Sequence, residues 1–258
     1  MSVNSSKAPT RTVTPSKRWR WWLLIALPAW VFVSFGVAQL VIVSLVQAVV
    51  QAGVALDTID ATILNTSLAA VIYGLTLLIA MGVPKLLQKY TTSWRELGLD
   101  RLPRWADIGF APAAYVGYLV VLTAVTAALV TFVPSYDIQQ TQEVGFEALS
   151  FRYEYILAFI TLVIIAPVAE EVLFRGYLYG KLRRAVPLWA AILATSALFA
   201  AVHGQWNVAV DTFILSVFMC GLREITGSIW AGILLHMIKN GVAYYFLFID
   251  TSLIQSLM

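Results

Sequence analysis

The sequence has few charges, one cysteine and two histidines, and these shortages limit what the protein can be. Of its 258 residues 12% are charged and 60% are hydrophobic, whereas soluble domains carry about 25% charged residues. The composition excludes an ordinary soluble domain and indicates a polytopic membrane protein. The single cysteine, Cys220, excludes an internal disulfide and a multi-cysteine metal site. The net charge of +3 is spread over the ends of apolar segments, unlike the basic face of a nucleic-acid-binding protein.

Long apolar runs predict an all-α membrane bundle of about seven transmembrane helices, within one. Residues 1–20 carry five basic residues and no acidic one. We therefore expect a disordered basic tail in the cytoplasm, with the N-terminus inside and the C-terminus outside. Proline is expected to end the second span at Pro84 and the third at Pro134. The predicted spans cover about 21–50, 61–83, 108–133, 155–185, 188–203, 208–222 and 228–249.

The chain divides near residue 150. Residues 21–150 hold the first helices and a loop at 85–107, where five basic residues alternate with Trp94, Leu97 and Trp105. This pattern is typical of a short helix on the membrane surface, and a plain solvated loop fits it equally well. Residues 151–250 hold the polar groups described next, and residues 251–258 are a C-terminal tail.

Two carboxylates, Glu170 and Glu171, follow an uncharged and mostly apolar run of fifteen residues. A carboxylate at membrane depth costs about 2.5 to 3.5 kcal/mol on insertion scales and usually faces a functional cavity. The two histidines, His203 and His236, lie in later apolar segments, and Asn240 follows His236 by one helical turn. A glutamate, two histidines and an asparagine on neighbouring helices could together activate a water and hold an oxyanion.

The turns between helices indicate which of these residues lie at the same depth. Glu170 and His203 are equidistant from the Val186-Pro187 turn, so an antiparallel hairpin would place them level. The same argument places Asp211 level with Lys239 on adjacent helices, and we predict that they pair. The pair could specify helix packing, or Lys239 could help to position a substrate or Asn240.

Three motifs on successive apolar segments resemble those of the CPBP intramembrane proteases, also called the Abi or type II CAAX prenyl endopeptidase family. These motifs are Glu170-Glu171-x-x-x-Arg175, Phe199-x-x-x-His203 and His236-x-x-x-Asn240. The resemblance covers about 156–244, and residues 1–150 carry no motif that we recognise.

The resemblance implies a role for each matched residue. Glu170 and His203 would hold and activate the hydrolytic water, and His236 and Asn240 would bind the carbonyl oxygen as it becomes an oxyanion. Glu171 and Arg175, one turn apart on the same helix face, would pair and support the site. Phe199 would pack beneath His203. Residues 151–250 would then be the catalytic transmembrane core.

The sequence leaves the metal requirement open between two readings. Family members are often named metalloproteases, and Glu170, His203 and His236 would be an acceptable zinc set with an open position. Asn240 is a poor zinc ligand, however, and the sequence has no His-Glu-x-x-His motif. A water activated by Glu170 and His203 needs no metal, so we favour metal-free chemistry, with a divalent metal such as zinc as the alternative.

The favoured function is a hydrolase, an intramembrane endopeptidase that cleaves a membrane-associated or lipidated peptide in the plasma membrane of a prokaryote. One alternative is a catalytically silent scaffold that regulates envelope proteins. Another is a small transporter that uses Glu170 and Glu171, although the sequence has no internal repeat of the kind that transporters show.

Overall fold

The computed structural model describes residues 19–88, 91–136, 145–146 and 149–250. Within these ranges the chain is helical and contains no strand, which confirms the all-α prediction. Residues 1–18 of the predicted tail 1–20, and the whole predicted tail 251–258, lie outside the described residues. The helices are α1 (Leu23–Gln51), α2 (Ala61–Gln88), α3 (Trp94–Leu97), α4 (Trp105–Phe132), α5 (Arg152–Ala185), α6 (Leu188–Ala201), α7 (Trp206–Thr226) and α8 (Trp230–Ile249).

The long helices correspond to the seven predicted spans. In the described part of the chain, five of them are long and apolar enough to cross a membrane, namely α1, α2, α4, α5 and α8. Helix α6 is apolar but has only 14 residues, and α7 has 21 residues and carries Asp211. The polytopic membrane bundle is thereby confirmed, while the number of spans and their orientation stay predictions.

Helix α5 lies at the centre of the bundle and changes its winding along its length. It packs against α2, α6 and α8, and two of its segments, Ile160–Ile165 and Val172–Tyr179, are π-helical. The short α-helical stretch between them, Ala166–Glu171, ends on the two glutamates. Because π turns inside α-helices are frequent at functional sites, the winding of α5 points to a functional role for this segment.

The second span does not end at Pro84 as predicted, because α2 continues through that residue to Gln88. Proline has no N–H and therefore frees the carbonyl of the residue four positions earlier, which is Ala80. The indole Nε1–H of Trp30 on α1 donates to that carbonyl at 3.0 Å. A neighbouring helix thus satisfies the freed group, which is how membrane helices tolerate proline. The third span ends at Phe132, two residues before Pro134, as predicted.

The loop after α2 contains a short helix, as predicted, but it is not a plain solvated loop. Helix α3 has four residues, is capped by Ser93 and ends at Gly98 in a left-handed conformation, with φ of 74°. The Gly98 carbonyl accepts hydrogen bonds from Ser228 Oγ at 2.6 Å and from the backbone of Ile229 at 3.2 Å. Leu97 is buried. The loop is therefore docked onto the start of α8.

The contact between Trp30 and Ala80 gives a testable prediction. Trp30→Phe keeps an aromatic ring but removes the donor, and we expect it to destabilise the protein by about 1 kcal/mol. In a Pro84→Ala background the backbone N–H of residue 84 can satisfy Ala80, so the same substitution should cost much less. Equilibrium unfolding of the four proteins in detergent measures both values. Equal costs in the two backgrounds would contradict this account of Pro84.

Candidate active site

The motif residues line one cavity of about 620 Å³ inside the bundle. Glu170 on α5, His203 just after α6, and His236 and Asn240 on α8 all contribute to its wall. Most of the remaining wall is apolar and comes from several helices, including Phe32 of α1, Leu215 of α7 and Leu247 of α8. A mostly apolar cavity with a few convergent polar groups is the usual form of a ligand site.

Glu170 projects into this cavity, and its two oxygens have different partners. The hydroxyl of Tyr73, on α2, donates to Oε1 at 2.5 Å. The other oxygen, Oε2, lies 3.9 Å from Nε2 of His236. The Glu170 side chain is only 15% exposed, so a water bound to Oε2 would be held in a restricted space.

Glu171 turns away from the cavity and is completely buried. Its Oε1 accepts from Arg175 Nη1 at 2.9 Å and from His236 Nδ1 at 3.1 Å. The ion pair that the spacing predicted is present, and it extends to the histidine of another helix. Because Nδ1 donates its proton to Glu171, Nε2 of His236 is the nitrogen that faces Glu170. A carboxylate behind a histidine fixes its ring orientation and tautomer in this way.

Phe199 and His203 form the opposite wall. The His203 Nδ1–H donates to the Phe199 carbonyl at 2.7 Å, which leaves Nε2 as the free ring nitrogen. The Phe199 ring is fully buried and makes edge contacts with the rings of His203 and His236, with centroids 4.9 and 5.8 Å apart. The Arg175 guanidinium lies 4.2 Å from its centre. Phe199 is therefore the packing residue that spaces the two histidines.

Asn240 is held by a backbone group of α5. Its Nδ2 donates to the Leu162 carbonyl at 2.9 Å. In the π-helical segment that carbonyl would accept from residue 167, but Pro167 has no N–H. The contact orients the Asn240 amide and leaves its second N–H for another acceptor.

The structure thus brings Glu170, His203, His236 and Asn240 to one cavity and places Glu171, Arg175 and Phe199 behind them. Sequence reasoning missed Tyr73. It is one of eleven tyrosines, lies in an apolar run outside the three motifs, and carries no local signal that sets it apart. Only the packing of α2 against α5 reveals its contact with Glu170.

The predicted pair of Asp211 and Lys239 is confirmed, with 3.2 Å between Oδ2 and Nζ. The Tyr118 hydroxyl also donates to Asp211, and Lys239 contributes to the cavity wall. The ion pair links α7 to α8, and its ammonium group lies at the edge of the site.

A zinc ion would require Glu170, His203 and His236 to direct their ligating atoms at one point. Among the residues that the structure describes, no three His, Cys, Asp or Glu side chains form a group that could hold a metal ion. One oxygen of Glu170 is also occupied by Tyr73. As they are placed, these residues do not fit a three-ligand zinc site.

Fold and cavity together define a polytopic all-α membrane protein with a buried site of acid, imidazole and amide groups. Residues 152–242 match the family model described as type II CAAX prenyl endopeptidase Rce1-like. This segment contains all three motifs, and the family resemblance is thereby confirmed. The match includes most of α5 to α8 and excludes α1 to α4.

One curated relative is an uncharacterized 24.3 kDa protein of Escherichia coli, which is 33% identical over 89 residues. The aligned part covers 33% of this chain and 41% of that protein, so the chain spans about two fifths of the relative's length. No solved structure matches.

The close approach of α8 to Glu171 gives a second prediction. A Cβ at Gly232 would lie 3.0 Å from Glu171 Oε2, and Glu171 is held in place by Arg175 and His236. We expect Gly232→Ala to lower stability by about 1 to 3 kcal/mol, as overpacking does, with a lower thermal unfolding midpoint in detergent. Gly241→Ala on the same helix is the matched control, because its Cβ would make only an ordinary 3.7 Å contact with Val163. Equal midpoints for the two variants would contradict the prediction.

Proposed function

We propose that this protein is an intramembrane endopeptidase that hydrolyses a peptide bond in a membrane-associated or lipidated substrate. The observation that carries the proposal is the single cavity that Glu170, His203, His236 and Asn240 share. The Rce1-like match of residues 152–242 supports such an activity at the level of the family. We place the catalytic core at residues 151–250.

In the proposed mechanism, Glu170 is the general base. A water lies between its Oε2 and Nε2 of His203, which is a hydrogen-bond acceptor because Nδ1 carries the proton. The water oxygen attacks the scissile carbonyl carbon and its proton passes to Glu170. When the C–N bond breaks, Glu170 returns this proton to the amine nitrogen that leaves. General acid–base catalysis of this kind typically contributes 10²- to 10⁴-fold.

Asn240 and His236 stabilise the oxyanion that forms during the attack. Asn240 uses one N–H on Leu162 and offers the other. His236 donates from Nε2 when it is doubly protonated, and the Glu171 carboxylate 3.1 Å behind it pairs with that charged form. Donors that are fixed before the reaction are effective because they need no reorganisation as the charge develops.

Glu171, Arg175 and Phe199 support the site without touching the substrate. Arg175 and Glu171 are both completely buried, so the salt bridge between them fixes the carboxylate that orients His236. Phe199 separates the histidines. Removing the Glu171 carboxylate would leave the Arg175 guanidinium buried without this counter-charge, which is strongly destabilising.

The apolar wall of the cavity favours a substrate that arrives from the membrane. Phe32 and Phe35 of α1 and Phe246 and Leu247 of α8 are among its lining residues, and such side chains suit an apolar segment or a lipid chain. The excess of basic residues in the tail and the 85–107 loop favours a cytoplasmic N-terminus, and we propose the plasma membrane of a prokaryote as the location. The site would then lie toward the cytoplasmic half.

The test is a comparison of peptide termini in membranes of cells that express the wild type, Glu170→Gln or His203→Ala. We expect new termini with the wild type only, since both variants lose the group that holds the water. Glu224→Gln is the matched control, because Glu224 also accepts from a tyrosine, Tyr179, at 2.9 Å but lies outside the cavity wall. It should produce the same termini as the wild type.

Identical termini in all four membranes would contradict proteolysis. A phenotype that then depended only on the presence of the protein would support the scaffold. Repeating the wild-type cleavage with a chelator distinguishes metal-free from metal-dependent hydrolysis. We expect undiminished cleavage, and a loss of cleavage would favour the metal-dependent alternative.

A further inference from the structure

We propose that Tyr73 is a positioning residue for Glu170, and that its hydroxyl holds one carboxylate oxygen so that the other faces the bound water. The inference deepens the proposed function and rests on it. Tyr73 lies on α2, outside the 152–242 segment that matches the family model. The amino-terminal helices would then supply a working part of the site.

The contacts of the two glutamates show why Glu170 needs such a partner. Glu171 is fixed by Arg175 and His236, which both come from the motif segments. Glu170 has the 2.5 Å hydrogen bond from Tyr73, and its distance of 3.9 Å from His236 is too long for a direct hydrogen bond. A hydroxyl can only donate to an ionised carboxylate, so the contact selects Oε1 and leaves Oε2 for the water.

Two further polar contacts hold α2 in register with α5. The hydroxyls of Thr161 on α5 and Thr66 on α2 are hydrogen-bonded at 3.1 Å, and the hydroxyl of Tyr153 donates to Asp60 at 3.0 Å. Residues 60, 66 and 73 thus pair with residues 153, 161 and 170, so α2 and α5 run parallel. Of these three contacts, the one between Tyr73 and Glu170 lies at the site.

Asp60 anchors the start of α2. Its Oδ1 accepts from the backbone of Thr62 and Ile63 at 2.9 and 3.0 Å. The Ile63 N–H is the largest influence that holds the pKa of Asp60 below its usual value. As an ionised N-terminal cap, Asp60 stabilises the end of α2, and the register that places Tyr73 begins there.

The direct test is Tyr73→Phe in the full-length protein, assayed on a synthetic peptide that spans the cleavage site found by terminus analysis. Hydrogen bonds to charged groups are worth about 1.5 to 3 kcal/mol, so we expect kcat to fall roughly 10- to 100-fold. KM should change less than about twofold, because the hydroxyl orients the base and does not bind substrate.

Tyr179→Phe is the matched control. Tyr179 is also a buried tyrosine whose hydroxyl donates to a carboxylate, that of Glu224 at 2.9 Å, but neither residue is part of the cavity wall. We expect its kcat to stay near that of the wild type. Full activity of Tyr73→Phe, or an equal loss in both variants, would overturn the proposal.

An infrared measurement tests the contact without any substrate. The carboxylate band of Glu170 is assigned from the difference between the wild type and Glu170→Gln, and the loss of one hydrogen bond should shift it in Tyr73→Phe but not in Tyr179→Phe. An unshifted band would overturn the role of Tyr73 even if the wild type cleaves nothing. Cleavage by Glu170→Gln at the wild-type rate would instead overturn the proposed function, and the role of Tyr73 with it.

Discussion

The carboxylate of Glu171 holds the centre of this protein together. One of its oxygens accepts from Arg175 on its own helix and from His236 on α8, so the two helices that carry most of the site are joined through one buried charge. Gly232 gives α8 room to approach. Because an unpaired charge at this depth would be very costly, the three groups constrain one another, and their geometry sets the direction in which Glu170 and His236 face.

Two prolines illustrate a second constraint, which is that backbone groups inside a membrane must find partners within the protein. Pro84 frees the Ala80 carbonyl and Trp30 satisfies it. Pro167 leaves the Leu162 carbonyl without a π-helical donor, and Asn240 satisfies it. In both cases a side chain from a neighbouring helix donates the hydrogen bond that the proline cannot. The hydrogen bond to Leu162 also orients the amide of Asn240 in the cavity wall. Asn240 therefore serves both the packing of the helices and the site.

Much of the fold could be predicted because the membrane imposes a simple rule of length and hydrophobicity. The apolar runs predicted the helices, and the distance of each residue from the nearest turn predicted the pairing of Asp211 with Lys239. The end of α2 was predicted wrongly, since the effect of Pro84 depends on Trp30, fifty positions away. In the 85–107 loop the short helix was predicted. Its docking was not predicted, because it depends on the contact between the Gly98 carbonyl and Ser228, which is distant in the sequence.

The sequence by itself determined the class of protein, the motif segment at about 156–244 and the set of polar residues that form the candidate site. It could do so because charges and histidines are rare in the sequence and their helical spacing is regular. Only the tertiary structure decided which nitrogen each histidine presents and that Tyr73 holds Glu170. These features depend on side chains from helices that are distant in the sequence. Their contacts follow from how the helices pack, and local sequence patterns do not predict that packing.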